Sequence, residues 1–353
     1  MTKQKIKTFF KRLGIFLLIT VVMAIMLLYC VMWVCVHGPS TVVRDIFVMS
    51  VRETSAMGFL ANIFLTDEEI AKIEAANQLK TTDEITDTSL ISIGNNADSK
   101  DDPSNVGTGE EDIQDNPLDD GLEYVDGIAV KKISDNTFQG YMMFVKDPSR
   151  VFVGVSNVKF DKDTPGKTVS EIIQSYGVSI GINAGGFDDP QGTGDGALPL
   201  GIVISDGKLL YGSESGSYEL IGFNKDNVLV VGRMTGKQAL DSGIRDAVSF
   251  GPTLIVNGTA LSGIGTGGGL NPRTAIGQRA DGTVLLLVVE GRQATSLGAS
   301  YNDLIRVMLE YGAVNAANLD GGSSSVMYYD GNLVNSNASV IGLRKLPTAF
   351  LVR

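Results

Sequence analysis

The sequence predicts an α+β domain, strand-rich and built from hairpins with a few helices, preceded by a transmembrane helix and a disordered acidic linker. Three observations predict it. Asp206-Gly207, Asn257-Gly258, Asp281-Gly282 and Asp330-Gly331 each separate two β-like runs, and such dipeptides are the strongest short-range hairpin signal. Two helical patterns interrupt the strands after residue 121. Hydrophobic residues make up 43% of the 353, ample for a core.

The elements follow in order. Lys3, Lys5, Lys7, Lys11 and Arg12 put five bases and no acid in residues 1–12. An uncharged run of 24 residues, 13–36, comes next. As a helix it exceeds the roughly 30 Å hydrocarbon core of a bilayer. Signal-peptide cores are shorter, about 7–15 apolar residues, and end at a small-residue cleavage site. No clear Ala-x-Ala follows here. Residues 13–36 therefore read as an uncleaved signal anchor, with the basic tail cytoplasmic and the C-terminal bulk outside.

Residues 37–80 read as a helical stalk, with Thr66 and Glu69 in a capping-box pattern before Ile70, Ile73 and Leu79. Residues 81–120 hold twelve acids against one base, Lys100, so this segment alone accounts for the net charge of −11. It cannot bury enough apolar surface to fold and reads as a solvated, flexible spacer rather than an ion-binding site.

Residues 121–353 carry the strands. Apolar runs at 141–145 and 151–158 flank Asp147-Pro148-Ser149-Arg150. Residues 168–176 predict a helix, with Thr168 and Glu171 as its capping box and Gly177 as its stop. Residues 300–311 predict another, with Leu304, Ile305, Met308 and Leu309 on one face and Gly312 at its end.

Composition excludes several classes. After residue 120 there are 19 bases and 22 acids, so a basic nucleic-acid footprint is absent. Both cysteines, Cys30 and Cys35, belong to the membrane run, and the one histidine, His37, lies just past it. The exported part thus has no disulfide, thiol nucleophile, His-dependent triad or His-bound zinc. The one tryptophan, Trp33, is membranous too, so a sugar platform must use Tyr or Phe.

Five segments carry candidate chemistry. In Asn315-Ala-Ala-Asn-Leu-Asp-Gly-Gly-Ser-Ser-Ser-Val-Met-Tyr-Tyr329, a strand-like run places Asp320 at its tip, before Gly321, Gly322, Ser323, Ser324 and Ser325. Acid, bare backbone and hydroxyls suit an anionic or polyhydroxy ligand, although a tight turn with a serine cap reads the same way. In Ile182-Asn-Ala-Gly-Gly-Phe187, Asn183 ends a strand, and Gly185 and Gly186 either expose backbone or simply turn the chain. The glycine-rich run 263–269 lacks the Gly-Lys-Ser/Thr of a phosphate loop and reads as a mobile loop. In Asn271-Pro-Arg-Thr-Ala-Ile-Gly277, Arg273 offers a planar fork to a phosphate or makes an ordinary ion pair. Glu290-Gly-Arg292 ends the apolar run 284–289, as a cap or as a carboxylate and a second guanidinium at a site.

Together these segments resemble the phosphodiester glycosidase family, whose bacterial members are often linked to exopolysaccharide. The resemblance covers roughly residues 180–353. It rests on Ile182-Asn-Ala-Gly-Gly-Phe187, Asn271-Pro-Arg-Thr-Ala-Ile-Gly277, Glu290-Gly-Arg292 and Asn318-Leu-Asp-Gly-Gly-Ser-Ser324, in the family's order. Ala184 lengthens the usual Asn-Gly-Gly-Phe arrangement, and Glu290 stands where Asp is common. The resemblance implies cleavage between a sugar's anomeric carbon and a phosphodiester oxygen. Asp320 and Glu290 are then the catalytic candidates, one activating water and one stabilising positive charge. Arg273 and Arg292 are the candidates for the phosphate. Asn183, Gly185, Gly186, Asn271, Thr274, Asn318, Gly321, Gly322, Ser323 and Ser324 complete the expected substrate-binding set. No cofactor is required; a divalent cation can be placed near Asp320, but no spacing demands one. The expected partners are a carbohydrate phosphodiester and, through residues 13–36, a membrane. A non-catalytic wall-polymer binding or assembly module would use the same arginines and serines without turnover. A protein-interaction ectodomain is the third reading.

Overall fold

The computed structural model describes residues 3–54, 57–77, 82–93, 121–261, 265–339 and 342–353. Among these residues the strands form three antiparallel sheets. The first has seven strands, in the order Ile128–Ser134, Gln139–Val145, Val284–Val289, Arg273–Arg279, Ala313–Leu319, Thr253–Val256 and Thr259–Ala260. The second has five: Asn332–Leu333, Met327–Tyr329, Ile180–Asn183, Thr348–Val352 and Val151–Val155. The third runs Lys208–Tyr211, Val203–Ser205, Ile244–Ser249, Ser217–Asn224 and Leu229–Thr235.

All three sheets turn one face to a shared core, in which Leu286, Val288 and Ile276 meet Val153, Ile182 and Phe350 and then Val203, Ile221 and Phe223. The outer faces are covered as well. Helix Tyr301–Glu310 packs on the first sheet, Val169–Tyr176 on the second and Gly236–Asp241 on the third. This explains why the central strands are apolar throughout. In Val284–Val289, residues 284, 286 and 288 face the shared core, while 285, 287 and 289 face the first helix. Side chains of a strand alternate between faces, so a sheet covered on both sides admits no polar stripe.

The four predicted hairpins all form. Asp206-Gly207, Asn257-Gly258 and Asp330-Gly331 have positive φ at both residues, as a two-residue type I′ turn requires. The helix at 168–176 has its capping box at Thr168 and Glu171, and Gly177 closes it at φ 66°. The later helix has Ser300 as its cap, with Val307 rather than Leu309 on the buried face. A 3.6-residue period leaves that choice to the neighbours.

Two expectations for the N-terminal third change. Helix Lys3–His37 includes a stretch, Lys7–His37, long and apolar enough to cross a membrane. The segment expected as a helical stalk holds three helices, and they do not stand clear of the domain. Helices Thr41–Arg52, Phe59–Asn62 and Asp67–Ala76 fold on one another around Val48, Met49, Val51, Ala61, Ile70 and Ile73, and they dock on the strand-rich domain. The expected spacer is also shorter than residues 81–120. Thr86 exchanges hydrogen bonds with Val231, Asn257 donates to the Ile85 carbonyl and accepts from the Asp87 N–H, and the Ser92 N–H reaches the Ala280 carbonyl. Ile91, among the acids, is buried against the domain. Thr86 also covers the exposed edge of strand Leu229–Thr235, an edge that would otherwise invite pairing with another chain. Residues 94–120 of the expected spacer lie outside the described residues.

Candidate active site

The candidate motifs meet at one end of the first sheet. Thr274 pairs with Leu319, and Arg273 with Val289. The start of one strand therefore adjoins the ends of the two beside it, where Asp320 and Glu290 follow. Antiparallel register brings these motifs together from across about fifty residues of sequence.

Asp320 stands at the turn into Gly322–Ser324. Its N–H donates to the Ala184 carbonyl at 3.0 Å, and its Oδ1 accepts the Gly321 N–H at 2.9 Å. Its Oδ2 is enclosed and has no hydrogen-bond partner. Burial pushes the Asp320 carboxyl up to about 6, against the opposing pull of the Ser324 hydroxyl, the Gly321 N–H and the Arg344 guanidinium. Gly322 has φ 61°, a region that strongly favours glycine, and its N–H donates to the Pro272 carbonyl at 2.8 Å. A Cβ on Gly321 would lie 2.9 Å from that same carbonyl oxygen. The two glycines thus let the Asp320 turn lie directly on the Pro272 turn.

Asn183 holds this arrangement from within. It is fully buried; its Nδ2 donates to the Asp320 carbonyl at 2.5 Å, and its Oδ1 accepts from the Thr274 hydroxyl and the Val326 N–H. Gly185 and Gly186 pack rather than expose backbone. A Cβ on either would run into Val248 or Phe250, and their N–H groups are taken by the Thr348 hydroxyl and the Ser249 carbonyl. Asn318 is buried, with Nδ2 on the Gly251 carbonyl and Oδ1 without a partner.

The arginines occupy a neighbouring cluster. Arg273 projects from the opposite face of the strand to Thr274. It is buried, lies over the Tyr301 ring at 4.0 Å, and donates to the Ala299 and Gly269 carbonyls. Its Nη2 also pairs with Glu53 at 2.5 Å. The same Glu53 oxygen accepts from Asn271 Nδ2 at 3.0 Å. Arg292, at φ 57°, donates through Nη2 to the Thr54 hydroxyl and to Asn271 Oδ1. A Cβ on Gly322 would lie 3.4 Å from the Arg292 guanidinium, so this arginine lies between the two clusters. Burial lowers its pKa, and the charge of Arg273 adds to that.

Glu290 is buried, and its Oε1 accepts the Ser336 N–H at 2.7 Å. The same loop sends Asn337 Nδ2 to the Ser323 carbonyl and Asn335 Nδ2 to the Ser325 carbonyl. Glu290 is thereby tied to the serine turn through residues 335–337. The described part of the glycine-rich run is held in place: the Thr266 N–H donates to Asn77 Oδ1, and the Gly268 N–H to the Asn77 carbonyl. Among the described residues, no group of three or more His, Cys, Asp or Glu side chains is placed to hold a metal ion.

Sequence reasoning missed two groups. Arg344 donates to Asp189 Oδ1 at 2.7 Å, to the Gly194 carbonyl, and at 3.4 Å to the Ser323 hydroxyl, while stacking over Phe187. It stands alone in the sequence between loop residues, with no motif to mark it. Glu53 and Thr54 come from the segment expected to be a stalk, more than 200 positions from their partners. A cavity of about 200 Å³ between residues 85–88 and the third sheet includes none of the motif residues in its lining.

The structure thus sets a buried carboxyl, Asp320, beside a glycine–serine turn, with the Arg292 guanidinium close to Gly322 and that of Arg344 near Ser323. The chain belongs to the phosphodiester glycosidase family, whose profile matches residues 176–353. Among curated proteins it is 29% identical over 221 residues to the SPbeta prophage-derived uncharacterized protein YomE of Bacillus subtilis, covering 59% of this chain and 32% of that one. It is 26% identical over 231 residues to the Bos taurus N-acetylglucosamine-1-phosphodiester alpha-N-acetylglucosaminidase, covering 58% of this chain and 42% of the enzyme. The chain thus spans less than half the length of either relative. The solved catalytic domain of the zebrafish N-acetylglucosamine-1-phosphodiester alpha-N-acetylglucosaminidase, auto-inhibited by its pro-peptide, shares the fold. Its TM-score is 0.52 at 22% identity, over 64% of this chain and 82% of that one.

Proposed function

We propose that this protein is a membrane-anchored hydrolase, facing out of the cytoplasm, that cleaves a sugar-1-phosphodiester in a cell-surface or extracellular glycan. The observation that carries the reading is Asp320, a carboxyl with one oxygen enclosed and unpartnered, next to a turn of bare backbone and hydroxyls. Water adds to the anomeric carbon as the C1–O bond breaks. The phosphate leaves as a monoester carrying the electron pair, and the sugar is released as a hemiacetal. A phosphate oxygen is a good leaving group, so the site needs little acid help. What it must do is hold the anion and stabilise an oxocarbenium-like transition state.

Asp320 in its ionised form takes the chemical role, activating water or facing the developing positive charge. Glu290 supplies the second carboxylate on the sugar side, with one oxygen already committed to Ser336. Arg292 and Arg344 are the arginines for the phosphate. Arg273, committed to Glu53 and two carbonyls, positions the Asn271–Pro272 turn instead. The test is release of sugar from a defined glycosyl phosphodiester by the purified protein. Binding without release would favour the wall-polymer module.

Two further outcomes are expected. The folded pKa of Asp320 lies above the ordinary 3.8, at about 6, so ionising it costs the fold. That cost is absent below about pH 4 and complete above about pH 6, so stability relative to Asp320→Asn should fall as pH rises across that window. Over the same range kcat/KM should climb, because the ionised form works; a profile flat from about pH 5 to about pH 7 would rule this out. As to topology, protease added to intact cells should release a fragment containing the whole strand-rich domain. A chain protected until lysis would reverse the orientation.

A further inference from the structure

The helices between the membrane run and the domain leave an apolar surface uncovered. Val42, Phe59 and Ile63 are 57%, 64% and 47% exposed, and Val43 and Met57 are exposed too. The first of these helices follows the apolar helix closely and packs on it. Thr41–Arg52 begins four residues after Lys3–His37 ends. The Phe64 ring lies 5.2 Å from Tyr29 and 6.1 Å from His37. Tyr29 is eight residues before the end of its helix, roughly 12 Å at 1.5 Å per residue. The chain just after the short helix Phe59–Asn62 is therefore brought down alongside the last turns of the membrane run at Phe64. Aromatic residues at that level, Tyr29, Trp33 and Phe64, match the belt found where bilayer meets water.

The other end of the same short segment reaches the candidate site. Ser50 accepts from the Leu270 N–H, Glu53 pairs with Arg273 and Asn271, and Thr54 accepts from Arg292. Thr41–Arg52 has 12 residues and so spans only about 18 Å. One rigid helix ties the apolar surface to the arginine end of the site.

We propose that helices Thr41–Arg52 and Phe59–Asn62 rest in the interface of the bilayer and hold the site at headgroup level, so that the substrate is a glycosyl phosphodiester anchored to a lipid of the same leaflet. In such a molecule the phosphate joining sugar to lipid already lies at that level. Residues exposed to water at 42, 59 and 63 become apolar contacts with lipid, and the sugar–phosphate bond is presented without leaving the membrane. The proposal rests on the hydrolase and anchor readings above, and the test separates the three.

The full-length chain is reconstituted into vesicles of phosphatidylcholine and phosphatidylglycerol, some with brominated acyl chains that quench tryptophan. Trp33 is the only tryptophan of the chain and reports the anchor by itself. In a Trp33→Phe background, Phe59→Trp should be quenched strongly, and Val158→Trp, in the exposed surface of the domain, should not. Absence of quenching at position 59, with Trp33 quenched in the parent, overturns the proposal while leaving the anchor intact. Hydrolysis is then compared on a lipid-anchored glycosyl phosphodiester in the vesicles and on a soluble one. Phe59→Asp with Ile63→Asp should slow the first by about tenfold or more, through the lost apolar contact, and leave the second unchanged. Equal rates on both substrates, or equal losses on both, reject a lipid-anchored substrate. Failure of the parent chain on both substrates rejects the hydrolase reading instead.

Discussion

Asp320→Asn is expected to lower turnover on a sugar-1-phosphodiester by about 10² or more, the range of general acid–base groups. The change keeps the shape of the side chain and the hydrogen bond from the Gly321 N–H, and removes only the charge. An amide also removes the cost of ionising a buried carboxyl, so the variant should be as stable as the parent at neutral pH or more so. Reduced turnover with raised stability is the pairing to look for in a denaturant titration run beside the assay. A folded Asp320→Asn protein with full activity would move the chemical role to Glu290, the other carboxylate at these strand ends.

The second large effect concerns Glu53. Its carboxylate is the charged partner of the buried Arg273 guanidinium, with side chains 20% and 6% exposed. Removing one member of such a pair leaves an uncompensated charge, at a cost of about 3–5 kcal/mol. Glu53→Ala should therefore lower the urea midpoint of the full chain sharply. Arg273→Met added to Glu53→Ala should recover part of that loss, because the stranded charge is gone and its cavity is filled. Lys72→Ala, which breaks an exposed pair with Glu68, serves as the reference and should change stability by less than about 1 kcal/mol. If Glu53→Ala behaves like that reference, the docking of Glu53 on Arg273 contributes nothing to stability.

The sequence determined the local elements of this protein and the identity of its chemical groups. A two-residue Asp-Gly or Asn-Gly turn and a Thr-x-x-Glu cap are written in consecutive residues, so the hairpins and capped helices form where those residues stand. The same holds for the carboxylate at the glycine–serine turn and for the apolar run near the N-terminus. Tertiary structure decided what those groups face. Arg273 and Thr274 are adjacent in sequence, yet strand alternation sends one to Glu53 and Tyr301 and the other to Asn183. Gly185 and Gly186 are pressed against the third sheet, a neighbour no local pattern announces. Arg344 comes to the Ser323 hydroxyl from a segment with no motif of its own. The stalk became a docked helical unit because Glu53 and Asn77 found partners some 190 to 220 positions away. Contacts of that range depend on how three sheets close around one core. Their energy comes from burial and from paired charge, neither of which a single segment carries alone.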